Sequence, residues 1–114
     1  MTRKRQPLSA YRSVWLFAMF DLPVDTAEAR RNYTRFRKDL IRQGFHMLQF
    51  SVYARFCGSE ERAQVIRTRV HAGIPPEGQI RFMAVTDHQF GKMEVYDGKM
   101  RAAVEKPPPQ LSFF

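Results

Sequence analysis

Asp21 is the residue whose position in this 114-residue chain could make it chemical. It follows the apolar run Val14-Trp15-Leu16-Phe17-Ala18-Met19-Phe20 and precedes Leu22-Pro23. A carboxylate at the end of such a run can be carried into a groove. An Asp before a turn also bonds its own backbone, and from patterning alone that plainer role is favoured. A single carboxylate is a thin donor set for Mg²⁺, which keeps several waters and takes one or two carboxylates. A two-fold dimer would supply the second, because an isologous interface brings the same residue in twice. The remaining candidates are scattered. His46, His71 and His88 lie far apart in the sequence, and none pairs with a Cys at zinc-ligand spacing. They are expected to open a strand, end a helix and sit in a loop. Cys57 is alone, so it forms no internal disulfide and reads as a packing group in a reducing compartment. No G-x-x-x-x-G-K-[ST] phosphate loop is present.

The cations are a different matter. Lys and Arg number 19 against 11 acids, for a formal charge of +8, and the excess is localised. Residues 1–12 carry Arg3, Lys4, Arg5 and Arg12 with no acid. Residues 30–42 carry Arg30, Arg31, Arg35, Arg37, Lys38 and Arg42 against Asp39. Most of the cations are Arg, whose planar fork gives a phosphate two hydrogen bonds at once. A nucleic-acid backbone is the most economical partner for such a surface, and a solubilising role is the alternative.

What must position these residues follows from the pattern. Val14–Phe20 reads as a central strand covered on both faces. At seven residues it falls short of the roughly 20 a membrane span needs, and the basic start lacks a small-residue cleavage site. No membrane association and a cytoplasmic location are expected. Asp25 is the expected N-cap, with Glu28 as capping-box partner, of a helix over 26–43 that stops at Gly44. In that helix Ala29, Tyr33, Phe36 and Leu40 form an apolar stripe. Arg31, Arg35, Lys38 and Arg42 recur at the same spacing, roughly opposite. Like charges at i, i+4 repel by a few tenths of a kcal/mol per pair, and a face built only for solubility would mix signs. The stripe therefore favours a ridge that faces phosphate.

His46–Phe56 alternates strictly. Leu48, Phe50, Val52, Ala54 and Phe56 point one way, and Gln49, Ser51, Tyr53 and Arg55 the other. One kinked strand or two short ones both fit, since no Gly, Pro or Asn marks a break. Ser59 caps a second helix with Ala63, Ile66 and Val70 on its buried side, stopped at Gly73-Ile74-Pro75-Pro76. Gln79–Thr86 is a strand, and Met93–Tyr96 a short last one ending at Asp97-Gly98. The order is that of an α+β, ferredoxin-like βαββαβ sandwich with an extra short C-terminal strand. The division expected is a basic N-terminal arm over 1–12, the ferredoxin-like domain over 13–98, and a Pro-containing tail over 99–114 ending in Leu111-Ser112-Phe113-Phe114.

Several motifs then occur together and in order: Met19-Phe20-Asp21-Leu22-Pro23-Val24, Arg30-Arg31-Asn32-Tyr33, Phe36-Arg37-Lys38, Gly44-Phe45, Gln49-Phe50-Ser51-Val52-Tyr53 and Val85-Thr86-Asp87-His88-Gln89-Phe90. In these the chain resembles the CRISPR-associated Cas-two family over about 12–98, most closely the small adaptation subunits of systems with a single large RNA-guided effector nuclease. The resemblance implies two strands within 46–56. It also implies a homodimer in which the last short strand, here Met93–Tyr96, crosses to the partner's sheet edge. That dimer would bridge two dimers of the Cas-one integrase and hold duplex DNA bound for the CRISPR array. Family members carry an Asp, matching Asp21, assigned as a magnesium ligand, and some are described as metal-dependent endonucleases on RNA or DNA. Two functions from different classes follow. One is a DNA-holding scaffold using Arg30, Arg31, Arg35, Lys38 and Arg42, and the other is a Mg²⁺-dependent endonuclease using paired Asp21. An RNA-recognition module on the same fold would want a K/R-G-F/Y-G/A-F-V-x-F/Y strand, which is absent.

Overall fold

A computed structural model describes residues 12–108. The expected arm, apart from Arg12, and the Leu111–Phe114 end of the tail lie outside the described residues. The elements are β1 (Val14–Asp21), α1 (Ala27–Arg42), β2 (His46–Gln49), β3 (Val52–Phe56), α2 (Glu60–His71), β4 (Gln79–Thr86), α3 (Asp87–Gly91), β5 (Val95–Asp97) and β6 (Met100–Ala102). The first four strands form one antiparallel sheet in the order β2-β3-β1-β4. The mixed α+β class and the ferredoxin-like arrangement expected from the sequence are what the chain adopts.

β1 is central and buried along nearly its whole length. Its alternate residues Val14, Leu16, Ala18 and Phe20 meet Phe36 and Leu40 of α1 and Ala63, Ile66 and Val70 of α2 in one core. Trp15 and Phe17 face the other way, into a second core with Ala54 and Phe90, against which Met19, Leu48, Val52, Phe56, Val85, Met93 and Val104 pack. The apolar run is thus covered on both faces, as an unbroken strand pattern requires.

Both helix starts are set by a side chain that satisfies an orphan amide. In α1 the cap is Thr26 and not Asp25. Thr26 is the last extended residue (φ −128°, ψ 165°), and its Oγ1 accepts the Ala29 N–H at 3.0 Å. Asp25 lies one residue too early to reach that amide, and Glu28 instead favours the helix dipole from the first turn. Ser59 caps α2 as expected, accepting from Arg62 N–H. At the far end of α1, Arg55 of β3 donates from Nε to the Gln43 carbonyl at 2.7 Å. Gly44 is required there twice. Its φ is +90°, and a Cβ would lie 2.8 Å from that same Nε.

The ambiguity in 46–56 resolves into two strands around a turn at Phe50-Ser51, where Ser51 takes φ 64°. Leu48, Val52, Ala54 and Phe56 all pack on the second core, as alternation predicts. Phe50, the fifth of that set, is 85% exposed because it sits in the turn.

His88, expected in a loop, lies in the one-turn helix α3. That helix is closed by a capping box, with Thr86 Oγ1 accepting from Gln89 N–H and Gln89 Oε1 from Thr86 N–H. α3 holds Phe90 flat on Trp15, with ring centroids 3.9 Å apart and planes 7° apart, while Trp15 Nε1–H donates to Asp87 Oδ1 at 2.7 Å. The last expected strand, Met93–Tyr96, is Val95–Asp97, and it pairs with a strand not expected, β6. The two make a separate ribbon. Among the described residues no helix is long and apolar enough to cross a membrane.

Phe90→Ala should cost about 3–5 kcal/mol, as for other buried aromatics. The loss is checked by denaturant unfolding followed at the fluorescence of Trp15, the protein's one tryptophan.

Candidate functional site

α1 presents two faces because its sequence carries two stripes. Ala29, Phe36 and Leu40 are buried against the sheet, with Tyr33 packed at their edge. Arg30, Arg31, Arg35, Lys38 and Arg42 are all exposed and line one shallow surface depression together with Ala27 and Thr34. From Arg31 to Arg42 the ridge runs about 16 Å at the α-helical rise. Little neutralises it. Arg42 meets Asp39 at 3.2 Å in an exposed i, i+3 pair, of a kind worth under about 1 kcal/mol. Arg35 Nη2 donates to Asn32 Oδ1 and Arg30 Nη1 to the Val24 carbonyl, both of which leave the charge uncompensated. Among the described residues Arg31 and Lys38 have no hydrogen bond or ion pair. The structure therefore brings the five cations named from sequence together on one surface.

Asp21 is elsewhere. It is the last residue of β1, exposed, and paired across the sheet with Gln79. By strand alternation it shares the face of Met19 and Phe17, the face away from α1. The ridge and Asp21 are thus on opposite sides of the sheet. Asp21 is held in place by close backbone approach. Gly78, at φ +104°, enters β4 so tightly that a Cβ would lie 2.8 Å from the Asp21 carbonyl and 2.5 Å from Leu22 Cδ2. On the other side, Phe20 N–H donates to the Ser51 carbonyl at 3.0 Å.

Other titratable groups do not gather around it. Among the described residues no three of His, Cys, Asp or Glu are placed to share a metal ion. One chain thus offers Mg²⁺ a single carboxylate with an amide side chain, Gln79, across the strand. That fits half of a site, which needs donors beyond those the described residues bring together. Cys57 is buried, and burial pushes its thiol up despite the opposing hydrogen bond and charge of Arg55. Since the thiolate is the reactive form, the packing role expected of it holds.

The family model described as CRISPR associated protein Cas2 matches residues 14–93, from the first residue of β1 into the loop after α3. The chain belongs to the Cas2 family. It is similar to a protein of Parvibaculum lavamentivorans named CRISPR-associated endoribonuclease Cas2, 50% identical over 101 residues, covering 89% of this chain and all of the relative. Proteins with the same name from Flavobacterium psychrophilum and Paracidovorax avenae are 45% and 37% identical over 107 residues each. Each of those alignments covers 94% of this chain, with 93% and 99% of the relative. The family model thus spans the whole four-stranded sheet, both long helices and α3, whereas the alignments with the relatives extend into the β5–β6 ribbon.

Sequence reasoning passed over Gly78, for which a Gly immediately before a strand was the available signal. For Gly78→Ala we expect a loss of about 1–3 kcal/mol, the range for a forced left-handed backbone. Gly91→Ala, whose Cβ meets nothing within 4 Å, should be close to neutral in the same urea titration.

Proposed function

We propose that two copies of this chain act as the nucleic-acid-holding subunit of a CRISPR spacer-acquisition complex, gripping duplex DNA and bridging dimers of the Cas-one integrase. The observation that carries the reading is the cation ridge of α1, single-signed, nearly unneutralised and directly opposite the helix's buried stripe. A straight ridge of this length suits the backbone of a duplex, which presents a charge per strand about every 3.4 Å of axis. Each copy brings +8, so a dimer doubles the field that draws DNA in.

A homodimer is supported by what β1 leaves uncovered. The second core is capped by Phe90, Met93 and Val104 around Trp15, whereas the Asp21 end of the same face keeps Met19 and Val52 half-buried and Met83 46% exposed. β4 is also an edge strand, with free backbone groups along one side. The β5–β6 ribbon is a ready strand donor for a partner's β4. Charge reversal of Arg31 and Arg35 together should weaken duplex binding by tenfold or more whatever the sequence, and lower the salt slope by about two. Fluorescence anisotropy at several salt concentrations reads both, and unchanged affinity would sink the scaffold reading.

A second reading is favoured by the names of the relatives, all endoribonucleases, and by the fixed, exposed position of Asp21. In it the paired Asp21 carboxylates of a dimer hold Mg²⁺, which would activate water and stabilise the leaving oxygen of a phosphodiester. The two readings use opposite sides of the sheet and separate cleanly. Asp21→Asn should abolish metal-dependent cleavage and leave both duplex affinity and integration with the neighbouring integrase at the wild-type level. Cleavage that survives the change, or that persists in chelator, would remove Asp21 from the chemistry.

A further inference from the structure

At the end of the sheet away from Asp21, four segments of the chain enclose a cavity of about 260 Å³. Trp15 of β1 and Phe56 of β3 give it an apolar wall. Three nitrogen-bearing side chains also line it: His46 of β2, Arg55 of β3, and Lys106 from the segment that follows β6. Trp15 stands six residues before Asp21 on β1, about 20 Å at the strand rise. The cavity is therefore away from Met19, Val52 and Met83, the residues left open for a second copy. None of the ridge cations of α1 lines it.

The three side chains are supplied with little to neutralise them. Arg55 donates from Nε to the Gln43 carbonyl at 2.7 Å and from Nη1 to the Phe56 carbonyl at 3.2 Å. These bonds set the plane of the guanidinium and leave Nη2 unspent. Gly44, also on the cavity wall, makes room for it, since a Cβ there would stand 3.6 Å from Arg55 Cζ. His46 and Lys106 are exposed, and neither has a hydrogen bond or ion pair among the described residues. The nearby acids, Asp87 and Glu105, line a neighbouring cavity with His88 and Lys92. Lys106 borders both cavities, yet no carboxylate among the described residues lines the first. The segment that brings Lys106 is anchored. Met93 before the β5–β6 ribbon and Val104 after it both pack on the second core. The ribbon can therefore reach a partner while the residues that follow it stay on their own chain.

An apolar wall with a few polar groups is the makeup of a small-ligand pocket, and this one is just below the roughly 300 Å³ at which drug-sized sites begin. Three nitrogen donors without an acid suit an anion. A phosphate monoester carries about −1.5 to −2 near pH 7, against the single charge of a backbone phosphodiester. A strand end also needs one way out of a cavity, where an internal phosphodiester needs two. We propose that His46, Arg55 and Lys106 bind a phosphate monoester, of a free mononucleotide or of the end of a nucleic-acid strand, with its sugar against Trp15 and Phe56. Lys106 closes the site, so the bound phosphate ties the segment after β6 to the sheet. The pocket shares no residue with the α1 ridge or with Asp21, and it stands whichever of those readings falls.

The test is calorimetry on the full chain with two pairs of probes. One pair is thymidine monophosphate and thymidine, and the other is a short blunt duplex with and without 5′-phosphates. The phosphorylated member should bind more tightly in at least one pair. A preference in the first pair assigns the site to free nucleotides as well, and a preference confined to the second assigns it to strand ends. Arg55 also holds the end of α1, so its removal would disturb the fold, and the exposed residues carry the test instead. Lys106→Gln and His46→Gln should each weaken binding of the preferred probe about tenfold or more, the scale of one hydrogen bond to a charged group. Arg31→Gln, which removes a ridge cation, should leave the phosphate preference intact. Equal binding with and without the phosphate in both pairs would overturn the site. A loss of the preference in Arg31→Gln as large as in the other two would also overturn it, because net charge alone would then account for the binding.

Discussion

Everything in this fold depends on keeping one strand dry on both sides. β1 carries Trp15, Phe17 and Met19 on one face and Leu16, Ala18 and Phe20 on the other, so neither face can be left to water without losing several side chains' worth of burial. Two long helices cover the second of these faces. For the first, the described residues supply the single turn of α3 with Met93 and Val104 beside it, and the cover is concentrated on the largest side chain. Phe90 stacks on Trp15 while Asp87 takes the indole N–H, so the ring is both buried and hydrogen-bonded. The cover stops there, and the half of the face that ends in Asp21 stays partly open.

That asymmetry divides the molecule's surfaces. α1 must spend one stripe on the sheet, which frees the opposite stripe for charge. The cations are on the outer side of the helix layer and Asp21 is on the far side of the sheet, so the two candidate surfaces are apart. The cation that β4 sets on the face of Asp21 is Arg81, opposite Met19. The separation also explains why net charge alone was ambiguous. The charge is a sum over separate surfaces of the fold.

Much of this was legible in the sequence because it follows from period. The 3.6-residue stripes of α1 gave both its buried face and its ridge. The unbroken run of β1 gave a strand covered twice, and alternation placed Leu48, Val52, Ala54 and Phe56 on one core. What escaped depends on single residues or on contact between distant ones. The break at Phe50-Ser51 is made by Ser51 in a left-handed conformation that its residue type does not advertise. The cap of α1 falls on Thr26 and not Asp25, a shift of one residue that dihedrals decide. α3 had a readable capping box in Thr86 and Gln89, too short to show a period. β6 exists because a turn follows β5, and nothing in Met100-Arg101-Ala102 asks for a strand. Asp21 was named from its place at the end of β1. Its setting between Gly78, Gln79 and the Ser51 turn was not, because that setting is made by three segments brought together only by folding.

The open half-face points to how so small a chain completes a site. Closing it from within would take another element packed over Met19, Val52 and Met83, and such an element would also bury Asp21 and cost the site its access. A second copy related by a two-fold axis meets both needs at once. It would bury the same apolar residues against themselves and bring in a second Asp21, giving a hard cation the two carboxylates that one chain lacks. In the proposed dimer, the open half-face and the lone carboxylate would be completed by the same contact. Among the described residues, the face of β1 that ends in Asp21 is fully buried at Trp15 and Phe17 and only partly at Met19.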